Sequence, residues 1–209
     1  MTMQGESRFW DKLADRYSKQ PIADEAAYQH KLQVTRALLR PEMELLEFGC
    51  GTGSTAIKHA PHVKQITAID ISEKMLEIAR GKAAAAGVDN IRFARAKIDD
   101  YEAVDGSFDI VLGMSILHLV ADREAVIRKV HRILKPGGHF LSSTACLADG
   151  MGFFRYIAPV GKALGLLPLL RVFTRKELVA SIAAAGFEII EDWQPGKNKG
   201  VFVVARKGM

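Results

Sequence analysis

The sequence predicts an α/β fold of the doubly wound kind, a mostly parallel sheet with helices on both faces, and three observations predict it. Short strand-like runs alternate with amphipathic helical stretches between residues 45 and 144. A turn with three glycines, Gly49, Gly51 and Gly53, directly follows the first of those runs. The last two strand-like runs, 187–193 and 201–207, stand too close for the crossover that a parallel pair needs, so they form an antiparallel hairpin. With 209 residues and no internal repeat or linker, the chain reads as a single domain, 1–209.

Each element has a local reason. Phe9, Trp10, Leu13 and Tyr17 share one helical face, and a second helix is expected from about Asp24 to Leu39. Residues 45–48, 66–70, 91–96, 108–113 and 139–144 are strands, several of them apolar enough to be buried on both sides. Ser72 caps a helix whose Met75, Leu76 and Ala79 lie on one face, and Gly87 stops it. Asp122 caps another, with Val126, Val130 and Ile133 at helical spacing and Pro136-Gly137-Gly138 as its end. Thr174 and Glu177 have the spacing of a capping box, which sets a helix over about 175–185 before Gly186.

Composition excludes several classes of protein. No run of about 18 apolar residues occurs, and the opening MTMQGESRFWDK lacks the apolar core of a signal peptide, so a cytoplasmic location is expected. Two cysteines, Cys50 and Cys146, make no disulfide framework and no metal-ligand spacing. The net charge of +5 comes from scattered lysines and arginines, which reads as a solvated surface and argues against a nucleic-acid partner.

The glycine turn calls for a ligand. In doubly wound sheets, ligands sit beyond the carboxyl ends of the strands, and a turn free of side chains lets backbone amides and a helix N-terminus face them. Asp70 closes the second strand, where a carboxylate can accept hydrogen bonds from two ribose hydroxyls. The glycines read G-C-G-T-G, and Ser54 stands where the dinucleotide fingerprint has its third glycine, so a pyrophosphate fits poorly. Glu47, just before the turn, would repel a pyrophosphate and attract an ammonium group. The expected ligand is a nucleoside that carries a cation.

On these residues the chain resembles the class I S-adenosylmethionine-dependent methyltransferases over nearly its full length. EFGCGTG at 47–53 is similar to the family's first motif, Asp70 to its ribose acid, and SFDIV at 107–111 and RILKPGG at 132–138 to its later landmarks. The resemblance implies a Rossmann-like seven-stranded sheet with its last strand inserted antiparallel. It also implies S-adenosylmethionine as cofactor and S-adenosylhomocysteine as product. Glu47, Gly49, Cys50, Gly51, Thr52 and Gly53 would bind the methionine portion, Asp70 the ribose, Ile71 and Met75 the adenine, and Met114, in the loop after the fourth strand, the sulfonium region. Residues 1–40 would form a helical lid, from which Tyr17 reaches the methionine end and Tyr28 is a further pocket candidate.

Three regions leave alternatives. Lys97 stands where many relatives have an Asp or Ser beside the adenine amino group and cannot accept that hydrogen bond. Either Asp99 substitutes or the contact falls to backbone and water, with the Ile98 NH facing the ring; Lys97 itself is expected to turn outward. His118 is the best-placed candidate base, or else a histidine serving a neighbouring backbone group at a helix start. His30, His59, His62, His131 and His139 are expected at the surface or at strand edges. The apolar segment 150–173 is either a wall or cap for a lipophilic acceptor, or a pair of short helices packed on the sheet or on a partner subunit. Its Arg155, Lys162 and Arg171 suit an anionic head group or a membrane surface. The expected activity is methyl transfer to a small lipophilic molecule, with a homodimer and peripheral membrane contact as further expectations. The alternatives are a protein or RNA methyltransferase, or a module that binds the cofactor without catalysis.

Overall fold

The computed structural model describes residues 3–209; residues 1 and 2, part of the expected lid, lie outside the described residues. The chain divides into two compact units, 1–101 and 102–209. Seven strands among the described residues make an α/β sheet that is mostly parallel, with the antiparallel C-terminal end that the sequence predicts.

The first unit holds α1 (Met3–Ser18), α2 (Glu25–Leu38), β1 (Glu44–Phe48), α3 (Ser54–His59), β2 (Gln65–Asp70), α4 (Glu73–Ala85) and β3 (Ile91–Arg95). Its strands run in the order β3-β2-β1, with β2 parallel to both neighbours. Leu45, Leu46, Glu47 and Phe48 are all buried, as a strand covered on both faces requires. Asp24 caps α2 by accepting the Ala27 NH at 3.0 Å, and Ser72 caps α4 by accepting the Met75 NH at 3.2 Å. Gly87, at φ +66°, follows α4 as its stop.

Two contacts in this unit shape the ligand turn. Gly53, at φ +74°, has no room for a side chain: a β-carbon there would come within 2.9 Å of Ala79 Cβ and 3.2 Å of the Phe93 ring. It is therefore Gly53 that lets the turn press against α4 and β3, the task given to a later glycine in the dinucleotide fingerprint. Helix α1 is pinned to the start of α4, because Asp11 Oδ1 accepts the Ser72 hydroxyl at 2.6 Å and the Lys74 NH at 3.4 Å. The carboxylate also complements the positive end of α4.

The second unit holds β4 (Phe108–Met114), α5 (Arg123–Ile133), β5 (Leu134–Thr144), α6 (Phe154–Ala163), α7 (Arg175–Ala184), β6 (Phe187–Trp193) and β7 (Val201–Lys207). The order is β4-β5-β7-β6, with β4 parallel to β5 and β7 antiparallel to both of its neighbours. The last strand thus inserts between β5 and β6. Asp122 caps α5, accepting the Ala125 NH at 2.9 Å, and the Thr174–Glu177 capping box is complete in both directions.

Three expectations change. Strand β5 begins at Leu134 and takes in Pro136-Gly137-Gly138, where the sequence put only a helix end; a proline disfavours helix in the residue before it, so the chain extends at once. Met114 is the last residue of β4, not part of the following loop. The segment 150–173 makes one helix, α6, and then a non-helical run into α7.

Gly53→Ala should lower unfolding stability in urea by about 2–4 kcal/mol, combining the positive φ with overpacking against Ala79. Gly51→Ala, at φ +54° with only the Tyr17 ring at 3.9 Å, should cost about 1 kcal/mol. Equal losses would show that Gly53 is not the packing glycine.

Candidate active site

The first unit gathers its acidic and glycine residues at the ends of β1 and β2. Gly49, Gly51 and Gly53 all have positive φ, at 67°, 54° and 74°, and the Cys50 NH bonds to the Ile69 carbonyl at 3.1 Å. These angles turn the chain back within five residues and bring the next helix start, Ser54, to the turn. Thr52 is buried, and Lys82 from α4 donates to its hydroxyl at 3.0 Å. Cys50 is buried and burial raises its thiol pKa, so it is inert as a nucleophile.

Asp70 is the fixed point of the site. Its Oδ2 accepts the Gly51 NH at 2.8 Å and its Oδ1 the Ser72 NH at 2.9 Å. Burial nevertheless raises its pKa, against the pull of those amides. A carboxylate has about four acceptor positions, so lone pairs remain for a ligand.

Glu47 is only 2% exposed, and its Oε2 has no hydrogen-bond partner. Burial, and then the neighbouring Asp70, push its pKa up to about 8, with the Ala56 NH acting the other way. At neutral pH it is a protonated acid at the foot of a bare turn, an arrangement suited to a cation that would draw the proton off.

The other predicted residues of this unit are placed in the same half of the chain. Tyr17, from α1, brings a ring edge near Gly51, 3.9 Å from where a β-carbon there would stand; it is half exposed, and its pKa is raised by partial burial, Asp70 and Glu47. Tyr28 has its pKa raised by burial, with Thr55 acting the other way and Glu47 adding to the rise, so it too stands near Glu47. Ile71 is half-buried beside Asp70, while Met75 is buried in α4 and Ile98 is buried after β3.

Lys97 does not turn outward. Its side chain is 20% exposed and its ammonium lies 3.9 Å from Asp99 Oδ2. The Asp100 and Tyr101 amides fold back onto the Lys97 carbonyl, and that turn brings Asp99 beside its charge.

In the second unit, His118 lies in the turn after β4, which begins with Ser115 at φ +58°. The Thr144 hydroxyl meets its Nδ1 at 3.0 Å and accepts its backbone NH at 3.2 Å. Burial lowers its pKa to about 4, so it is neutral at physiological pH. Met114 is half-buried at the end of β4. His59, expected at the surface, is fully buried in α3 with both ring nitrogens unpartnered, and burial with the nearby Arg36 and His62 lowers its pKa to about 3. A cavity of about 660 Å³ at the end of β6 has its central charges paired, Arg175 with Asp192 at 2.9 Å. No group of three metal-binding side chains occurs among the described residues.

Asp11, Lys82 and Thr144 are absent from the sequence reading of the site. Each acts through a partner 26 or more residues away, which no local spacing signals.

Comparison with known proteins identifies the domain. Residues 45–138 match a family model described as a methyltransferase domain. A 27-O-demethylrifamycin SV methyltransferase of Amycolatopsis mediterranei is 41% identical over 102 residues, 48% of this chain and 38% of that one. A demethylmenaquinone methyltransferase of Symbiobacterium thermophilum is 30% identical over 155 residues, 71% of this chain and 60% of that one. Residues 45–138 are thus similar to known methyltransferase domains, the region on which the family resemblance read from the sequence rests. It spans about half the length of the curated relatives it matches. The methyltransferase fold is shared with the solved structure of the cyclase SpnF, at a TM-score of 0.75 and 22% identity over 91% of this chain and 84% of that one. The fold alone therefore does not specify the chemistry.

The raised Glu47 pKa makes a prediction about the ligand-free protein. Folded, the group holds its proton up to about pH 8, and unfolded it loses it near its ordinary value of 4.5, so stability falls as pH rises across that window. His59 and His118, whose folded pKa values are lowered from 6.5, add a slope of opposite sign that fades as pH rises above 6.5, and it is common to wild type and Glu47→Gln, so it cancels in their comparison. Between pH 6.5 and 8, wild-type stability should fall by about 1 kcal/mol per pH unit more steeply than that of Glu47→Gln. Parallel thermal-melt profiles would show that Glu47 is ionised in the ligand-free fold.

Proposed function

We propose that this domain transfers a methyl group from S-adenosylmethionine to a small, lipophilic acceptor, leaving S-adenosylhomocysteine. The observation that carries the reading is the unpartnered Oε2 of buried Glu47, at the foot of a glycine turn that Asp70 holds from β2. The residues fit the cofactor. Glu47 would take its ammonium group, the amides of Gly49 to Gly53 its methionine backbone, and Asp70 its ribose hydroxyls. Ile71 and Met75 would flank the adenine, with Lys97, Ile98 and Asp99 at its edge, and Met114 would line the sulfonium region.

Bound there, S-adenosylmethionine supplies a methyl group already activated on sulfur, so the protein's work is alignment and exclusion of water. Tyr17, whose ring edge stands near Gly51, would serve the second task from α1. His118 would take the acceptor's proton. Held at Nδ1 by Thr144 and neutral above about pH 4, it is free to accept one but is a weak base. It therefore suits an acceptor whose proton is already acidic, such as a phenol or an enol. Relatives named for 27-O-demethylrifamycin SV and for demethylmenaquinone support a small-molecule acceptor.

The test incubates the protein with labelled donor and a lipid and quinone extract, expecting label in an apolar product. Asp70→Ala should weaken S-adenosylhomocysteine binding by about 1.5–3 kcal/mol in calorimetry. His118→Ala should lower kcat about 100-fold. Full turnover in the His118 variant would remove it as the base, and label in protein or RNA alone would replace the acceptor class.

A further inference from the structure

We infer that the outward face of α6 and the turn after it form an anchor that lies on an anionic lipid surface. The inference stands apart from methyl transfer, because it concerns a surface and not the site. Among the described residues, large apolar side chains left exposed concentrate here: Phe153 (57%), Tyr156 (78%), Ile157 (45%), Val160 (60%), Leu164 (67%) and Leu166 (70%). Phe153, Tyr156, Ile157, Val160 and Leu164 recur at three- and four-residue spacing and make one continuous stripe along the helix. Ala158 is the only residue of α6 that is buried. The apolar face of this helix is thus turned away from the protein, the reverse of a helix that serves a core.

Charge selects the occupant. From Gly150 to Phe173 the chain carries Arg155, Lys162 and Arg171 and no acid. Arg171 is tied back, donating its guanidinium to the Ala121 carbonyl at 2.6 Å, which leaves Arg155 and Lys162 beside the stripe. Glu177, whose carboxyl feels Arg155, is bound into its own capping box with Thr174. An aromatic and aliphatic stripe flanked by cations matches a bilayer interface, where apolar side chains enter the acyl boundary and cations meet lipid phosphates. A subunit interface made by this face would bring the like charges of two copies together. No helix among the described residues is long and apolar enough to cross a membrane, so the contact is one of lying on the surface.

The experiment is co-sedimentation of the full chain with vesicles of phosphatidylcholine containing about one-third phosphatidylglycerol, and with phosphatidylcholine alone. Binding is expected to the anionic vesicles, weakened at least about threefold by high salt or by Arg155→Glu with Lys162→Glu. Tyr156→Ser, Val160→Ser and Leu164→Ser together should lower it about tenfold or more. These residues are exposed, so circular dichroism should stay unchanged. The inference is overturned by absence of binding to both vesicles, or by binding that the triple variant leaves intact. It is also overturned if ultracentrifugation shows a dimer that the triple variant splits, which makes the stripe a subunit interface.

Discussion

The first unit depends on the carboxylate of Asp70 held between two backbone amides. One oxygen fixes Gly51 in the turn and the other fixes Ser72 at the start of α4, at 2.8 and 2.9 Å. Through Ser72 the same network reaches Asp11, which ties α1 over the site. The end of one strand thereby sets the turn, the cap of the next helix and the position of the covering helix. A ligand that engages Asp70 meets a group already immobilised, so little ordering remains to oppose binding.

Burial gives the site its electrostatic character. Two acids, Glu47 and Asp70, share a buried end of the sheet, and burial raises the pKa of both. Backbone amides compensate Asp70, whereas Glu47 keeps an oxygen without a partner. The imbalance is what a cationic ligand would relieve. It also explains why the turn carries no basic side chain of its own: a resident cation would fill the place meant for the ligand.

Much of this was legible in the sequence, because the signals are local. The caps at Ser72, Asp122 and Thr174 act within three residues, and the strands at 187–193 and 201–207 match β6 and β7 at both ends. The glycine turn and Asp70 were readable for the same reason. What was not legible depends on distant partners. The pairing of Lys97 with Asp99 needs the turn that folds Asp100 and Tyr101 back. The burial of His59 and the steric role of Gly53 against Ala79 are set by packing between elements. In α6, composition marked an apolar segment but could not say which way its side chains face, since outward and inward apolar helices have the same composition.

The central claim is that a buried, protonated Glu47 receives the cationic end of the ligand. The most direct test is calorimetric titration with S-adenosylhomocysteine near pH 7 in buffers of different ionisation enthalpy. The account predicts binding with release of close to one proton, abolished in Glu47→Gln. Binding with no proton released, or release that persists in Glu47→Gln, would contradict it.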